Sequence, residues 1–195
     1  MPYSSEHKKQ TRKRIVESAR ILFNRHGFSS VSIDMVMAHA GLTRGGFYNH
    51  FKSKEALHSE AVSSFLMGRG AQWRDDAGVT ASPPGPEMAR HMIAGYLSPE
   101  HLVDTDSQCP MIALPSDVAR GNPEVQVAYQ DLLLAMISTF ENGFPQGKVP
   151  SRDEALSIAA LCVGGMILAR TLPNSELAEE VRGAALKTAI RMAMV

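Results

Sequence analysis

Residues 32–57 read SIDMVMAHAGLTRGGFYNHFKSKEAL, and this stretch decides the fold. A short apolar-periodic segment opens after Ser32 and stops at Ala40-Gly41. A second, residues 43–51, starts two residues later, and Ser53 opens a third. Two short helices joined by a tight turn containing glycine make a helix-turn-helix, whose second helix fits the major groove of DNA. Gly41 stands where the chain reverses, a place that favours positive φ. Ile33, Val36, Ala40, Leu42, Phe47 and Phe51 supply the apolar contacts that fix the angle between the two helices. The polar positions Thr43, Arg44, Tyr48, Asn49 and His50 are thereby left free.

Those positions suit a polyanion. Thr43, at a helix start, offers a hydroxyl and a backbone N–H to phosphate, aided by the helix dipole. Tyr48 and His50 can each donate to phosphate oxygens, and Arg44 is the side chain best able to read guanine O6/N7. Lys54, in the first turn of the next helix, sits badly with that helix's own dipole, and a phosphate partner would explain it. Gly45 and Gly46 each cost about 1 kcal/mol relative to Ala inside a helix. Either they let the helix approach DNA closely, or they relieve crowding against the first helix.

The formal net charge of zero over 195 residues conceals an uneven distribution. Residues 1–57 hold ten Lys/Arg against four Asp/Glu, a net of +6, while the remainder holds ten against sixteen, a net of −6. A basic head on an acidic body fits a nucleic-acid-binding domain carried by a larger partner or ligand domain. Two cysteines, Cys109 and Cys162, make no disulfide framework, and nothing has metal-ligand spacing, so neither metal nor cofactor is expected. The N-terminus is polar and no apolar run is read as membrane-spanning, which points to the cytoplasm and away from a membrane. An enzyme is not expected: there is no nucleophile elbow, phosphate loop or metal pair.

Helix signals recur along the whole chain. The first helix spans about residues 8–26, with Ile15, Ala19, Leu22 and Phe23 on one stripe and Gly27 as its stop. The helix opened by Ser53 is expected to run to about Arg74, and residues 75–86 (DDAGVTASPPGP) read as a loop. Ser98-Pro99 and Asn122-Pro123 pair a capping residue with Pro at the first helical position. Ser151–Glu154 reads as a capping box opening a long apolar helix to about Leu172, and Pro173-Asn174 precedes a last helix over 175–194. The expectation is an all-α protein of about nine helices. Residues 1–53 would form a three-helix helix-turn-helix domain, and 54–195 a helical ligand-binding and dimerisation domain.

Residues 14–57 resemble the DNA-binding domain of TetR/AcrR-type transcriptional regulators. The stretch is about a quarter of the chain, and its shared features are an amphipathic first helix ending in ARILFNRHGF and the block AHAGLTRGGFYNHFKSKEAL. The resemblance implies a homodimeric, ligand-responsive regulator, usually a repressor, binding a palindromic operator in double-stranded DNA, with a variable helical C-terminal domain. It places Thr43, Arg44, Gly45, Gly46, Tyr48, Asn49, His50 and Lys54 on the family's DNA-contacting positions. Gly46 replaces the commoner Thr or Ser and removes one contact. Met35 and Met37 replace the usual acidic residue and Ala, so no capping box is expected at Ser32.

In the body, the 155–172 helix is apolar nearly all round and must bury two faces. Leu156, Ala159, Val163 and Ile167 make one, and Ile158, Leu161, Cys162, Gly165 and Leu168 the other. Small residues at Ala159, Ala160, Gly164 and Gly165 permit close approach of a twin, and Val181, Ala185 and Thr188 of the last helix extend the dimer face. A pocket for an unidentified small-molecule effector is sought among Met67, Trp73, Met92, Tyr96, Cys109, Met111, Met136, Phe140 and Met166, since flexible Met lines adaptable cavities. His91 and His101 are expected to be exposed. Cys109 is expected to open a helix over 109–118. The helix N-terminus would lower its thiol pKa and favour electrophile or oxidant sensing, while nearby Asp104 and Asp106 would raise it. The segment SQCPMIAL also resembles a Cys-containing stretch in a subset of these regulators, some of them redox-responsive. The competing readings are this thiol sensor and a protein-interaction module that has lost DNA binding.

Overall fold

Side-chain caps start about half of the described helices. Ser32 accepts from the Met35 N–H at 3.2 Å, Ser53 from Ala56 at 3.1 Å, Ser98 from His101 at 3.1 Å, Asn122 from Val125 at 3.0 Å and Ser151 from Glu154 at 3.3 Å. Each satisfies an N–H that a helix start leaves orphaned, a contribution of about 1 kcal/mol. The computed structural model describes residues 5–145, 151–173 and 175–194. Its described residues form α1 (Ser5–His26), α2 (Ile33–His39), a 3₁₀ helix (Arg44–Asn49), α3 (Lys54–Met67), α4 (Arg69–Asp76), α5 (Pro86–Tyr96), α6 (Pro99–Val103), α7 (Pro110–Ala113), α8 (Pro115–Ala119), α9 (Pro123–Glu141), α10 (Arg152–Thr171) and α11 (Glu176–Met194). The all-α class holds.

Two breaks raise the helix count above nine. The helix after Ser53 stops at Gly68 (φ −104°, ψ −112°) instead of reaching Arg74, and the chain restarts as α4. The helix expected over 109–118 breaks at Leu114, because Pro115 has no N–H to continue the ladder. Asn174, half of the expected 173–174 break, lies outside the described residues.

One buried core runs from Ile15 on α1 through Phe47, Leu57 and Ile93 to Met166 and Ala189. α3 lies between α1 and α9, and α10 packs on α9 and α11. Ala155, Ile158, Ala159, Cys162, Gly165, Met166 and Ala169 form the inner face of α10. This corrects two expected dimer-face residues: Ala159 is 1% and Ala185 7% exposed, both enclosed within their own subunit. Gly165 belongs with them, since a Cβ there would come 2.7 Å from the Ala185 Cβ. Leu168, grouped with Ile158 and Cys162 on one apolar face, is instead exposed. α10 is also long and apolar enough, by length and composition, to cross a membrane, although no such run was read from the sequence. Its inner face is spent on the core instead.

Candidate DNA-binding face and effector cavity

The turn into the recognition segment is a Schellman motif. Leu42 N–H donates to Met37 O at 2.8 Å and Gly41 N–H to Ala38 O at 2.9 Å, with Gly41 at φ +66°. Left-handed backbone at this position is what glycine permits. The segment that follows is a 3₁₀ helix and not the expected α-helix over 43–51. Gly46 N–H reaches Thr43 O, three residues back, at 3.1 Å. Two consecutive glycines weaken the α-helical alternative. Val36, Phe47 and Phe51 are buried beneath it.

The outward side carries the expected residues. Tyr48 is 62% exposed, and Thr43, Arg44, Gly45 and Asn49 are exposed beside it. The Thr43 hydroxyl makes no capping bond. Arg44 Nη1 pairs with Asp34 Oδ2 at 2.6 Å, both side chains exposed. An exposed pair contributes at most about 1 kcal/mol, so Arg44 can exchange Asp34 for a stronger acceptor. A Cβ at Gly45 would meet nothing within 4 Å, and at Gly46 only Met37 Cε at 3.6 Å. Crowding therefore explains neither glycine. Gly45→Ala is expected to raise stability by up to about 1 kcal/mol while weakening DNA binding; thermal unfolding and DNA titration of the same sample check both.

His50 is half-buried, and burial, then the charges of Lys8 and Arg12, lower its pKa. Lys54 needs no phosphate: its Nζ donates to Phe28 O at 2.9 Å and Val31 O at 2.8 Å, and lies 4.2 Å from the Phe28 ring. The dipole argument for Lys54 is thus answered inside the subunit. Arg12, which was not singled out, clamps the end of the recognition helix. It donates to His50 O, pairs with Glu60 of α3 and stacks 4.0 Å over Phe51. Its signal in the sequence was position alone, one turn ahead of the apolar stripe of α1.

The body holds a cavity of about 250 Å³. Met67, Trp73, Met92, Tyr96, Cys109, Met111 and Met136 line it as expected, joined by Phe65, Leu66, Arg74, His101, Leu132, Ala135 and Thr139. Phe140 and Met166, expected there, are 1% and 0% exposed and fully enclosed by packed neighbours. His101 is buried, not exposed: its Nδ1–H donates to Tyr96 O at 2.9 Å, and burial lowers its pKa. His91 is half-buried and holds the turn before α5, with Nδ1 2.9 Å from Ser82 Oγ. Burial, not Asp104 or Asp106, dominates at Cys109 and pushes its thiol up to about 11. A thiol raised in this way is protonated at pH 7, the opposite of the lowering expected from a helix N-terminus. Cys162 is buried packing, pushed up in the same way.

The family model described as "Bacterial regulatory proteins, tetR family" matches residues 15–61, the segment that builds this outward face. The Transposon Tn10 TetC protein of Escherichia coli is 46% identical over 65 residues, 33% of each chain. Residues 15–61 thus match the DNA-binding segment of the TetR family. The transcriptional regulator AcrR of Shigella flexneri is 45% identical over 51 residues, covering 26% of this chain and 24% of that one. The chain spans a third or less of the curated relatives' length in these matches. Its whole fold is shared with the reduced form of E. coli NemR (TM-score 0.69, 19% identity, 92% of this chain and 95% of that one). It is shared too with a Saccharomonospora viridis regulator solved in complex with choline (TM-score 0.71, 20% identity, 94% and 96%).

Two routes join the cavity to the head. α3 carries Phe65, Leu66 and Met67 at the cavity and Lys54 at the 28–31 loop. The second route starts at Gln108, next to Cys109. Gln108 O accepts from Asn24 Nδ2 at 2.8 Å, and Arg170 bridges Gln108 Oε1 to Asn24 O. Arg25 pairs with Asp106, and Asp117 Oδ2 accepts from Phe28 N–H at 3.0 Å. The end of α1 is therefore gripped by the segment that lines the cavity.

Proposed function

We propose that the chain is a homodimeric, ligand-responsive transcriptional regulator, a repressor released from a palindromic operator by a small molecule. The observation that carries the reading is the pair Gly45-Gly46, Cβ-free and open to the outside in a short helix whose exposed side chains are hydrogen-bond donors. Thr43, Tyr48, Asn49 and His50 hold phosphates, Arg44 reads a base, and Lys54 supports the face from behind. The head, residues 1–53, binds DNA; the body, residues 54–195, binds effector and twin. The relatives are regulators and not enzymes, and such a protein works in the cytoplasm.

The dimer face is the outer stripe of α10 and α11. Leu156, Ala160, Val163, Gly164 and Ile167 lie along it, with Val181 and Thr188 on α11. Gly164 and Gly183 have nothing within 4 Å of their Cβ positions. Each costs about 1 kcal/mol inside a helix, and close approach of a second copy supplies the reason the subunit lacks. Twofold pairing would set two recognition helices about 34–36 Å apart for successive major grooves. Ligand in the cavity shifts α3 and the 106–111 segment, and the heads lose that spacing. The shift is bounded by the ligand's unequal affinity for the two states.

Two substitutions separate phosphate from base contacts. Tyr48→Phe is expected to weaken binding about equally on all sequences, whereas Arg44→Ala costs about 1–3 kcal/mol and relaxes specificity at one base per half-site. Equal losses on every sequence for both variants would remove Arg44 from the base-reading role.

A further inference from the structure

Arg74 is the cavity's one charged residue among the described lining residues, and no carboxylate of the described residues pairs with it. Its Nη2 donates to Leu66 O at 2.8 Å, and among the described residues no ion pair engages the remaining N–H groups. A half-buried guanidinium loses hydration, and that cost is recovered when an anion supplies both charge and acceptors. The Tyr96 hydroxyl, on the same cavity, is enclosed beside the Cys109 thiol, a weak partner, and meets no nitrogen or oxygen partner among the described residues. Cys109 lies beside both groups but stays a neutral thiol, because burial holds its pKa near 11. His101 is neutral, its Nδ1–H spent on Tyr96 O. The rest of the wall is apolar: Phe65, Trp73, Met92, Met111, Leu132 and Met136.

Resting on the effector reading of this cavity, we propose that its ligand is a small monocarboxylate with an apolar body. The carboxylate sits on the Arg74 guanidinium and the Tyr96 hydroxyl, and an aryl or short alkyl body packs on Trp73 and the methionines. A cationic ligand would meet Arg74 with no acidic side chain to balance it. A neutral amide would leave the guanidinium uncompensated.

Trp73 is the chain's single tryptophan, so intrinsic fluorescence of the full-length protein reports on the cavity directly. The probes are phenylacetate, phenylacetamide and phenethylammonium, with hexanoate and hexanamide as a pair of different shape. At least one acid is expected to change Trp73 emission saturably, its amide binding at least about tenfold more weakly and the ammonium not at all. Arg74→Gln should cut affinity for the acid by about thirtyfold and leave the amide unaffected, with Arg74→Lys between. Tyr96→Phe removes only the hydroxyl and should cost about fivefold. Amide or ammonium binding as tightly as the acid, acid affinity indifferent to Arg74, or no response to either acid at millimolar concentration overturns the inference. An acid that binds through Arg74 without changing DNA affinity confirms the ligand class and refutes the effector reading. An amide that releases DNA does the reverse.

Discussion

Ala160→Glu is expected to convert the dimer to a folded monomer and to abolish operator binding at concentrations where the native chain is saturated. Ala160 is exposed on the outer stripe of α10, one turn from Leu156 and from Gly164. Glu is a good helix former, so the isolated subunit tolerates it. In a twofold interface the change appears twice, and each carboxylate is buried without a partner. Two such charges cost about 3 kcal/mol or more, roughly a hundredfold or greater weakening of the dimer. A monomer reads one half-site, so its operator affinity should fall about a thousandfold, toward the non-specific level. Sedimentation and circular dichroism of the variant check the expectation: helical, cooperative in unfolding, and half the native mass. A variant that remains dimeric places the interface elsewhere.

The second large effect is on acid stability and rests on His58. Its ring is stacked on Phe28 (centroids 4.4 Å, planes 18° apart) and edge-on to Phe23 at 5.2 Å, and Nε2 finds no partner among the described residues. Burial lowers its pKa to about 4; Asp117 and Glu55 work the other way, and Lys54 reinforces burial. The folded state therefore keeps His58 neutral where the unfolded chain, titrating near 6.5, takes up a proton. Its contribution is fully present above pH 6.5 and is lost progressively as pH falls to about 4. A depression of that size amounts to about 3 kcal/mol, a large share of an ordinary domain's stability. His58→Phe keeps the ring packing and removes the titration. Chemical denaturation across this window should show the native chain losing about 3 kcal/mol more than the variant. Parallel losses in the two proteins would show that other groups carry the acid sensitivity. Because His58 stacks on Phe28 of the 28–31 loop between α1 and α2, which Lys54 of α3 also holds, the same protonation should loosen the recognition helix first.

What was legible in the sequence was local chemistry. Ser32, Ser53, Ser98, Asn122 and Ser151 announce helix starts through side-chain oxygens that need no tertiary partner, and Gly27 and Gly41 take positive φ where the chain stops and reverses. The outward residues of the recognition segment followed by subtraction, once the apolar positions had been spent on the core. Tertiary effects stayed hidden. The break at Gly68 depends on how α4 packs under Phe65, and a Cβ at Gly70 would come 2.7 Å from that ring. The 3₁₀ form of the recognition helix comes from Gly45-Gly46, whose cost was visible but whose geometric outcome was not. Lys54 looked misplaced because its carbonyl acceptors lie 23 and 26 residues away in the chain. The spacing Leu132, Ala135, Met136, Thr139 is a helical stripe and would have extended the cavity outward from Met136. Arg74 carried no such signal. A charged side chain beside an apolar cavity reads, in sequence, as a solvated one. Which α10 face is inward was decided by Ala185 against Gly165, a fit between helices that periodicity does not encode.

The most direct test of the central claim is fluorescence anisotropy of the purified chain on DNA flanking its own gene, titrated at several salt concentrations. The expected result is saturation at two chains per site, a surplus over random duplex, and affinity falling steeply with salt as phosphate contacts release counterions. Binding at one chain per duplex with no sequence preference, or none even at low salt, would contradict the account and leave the interaction-module reading in its place.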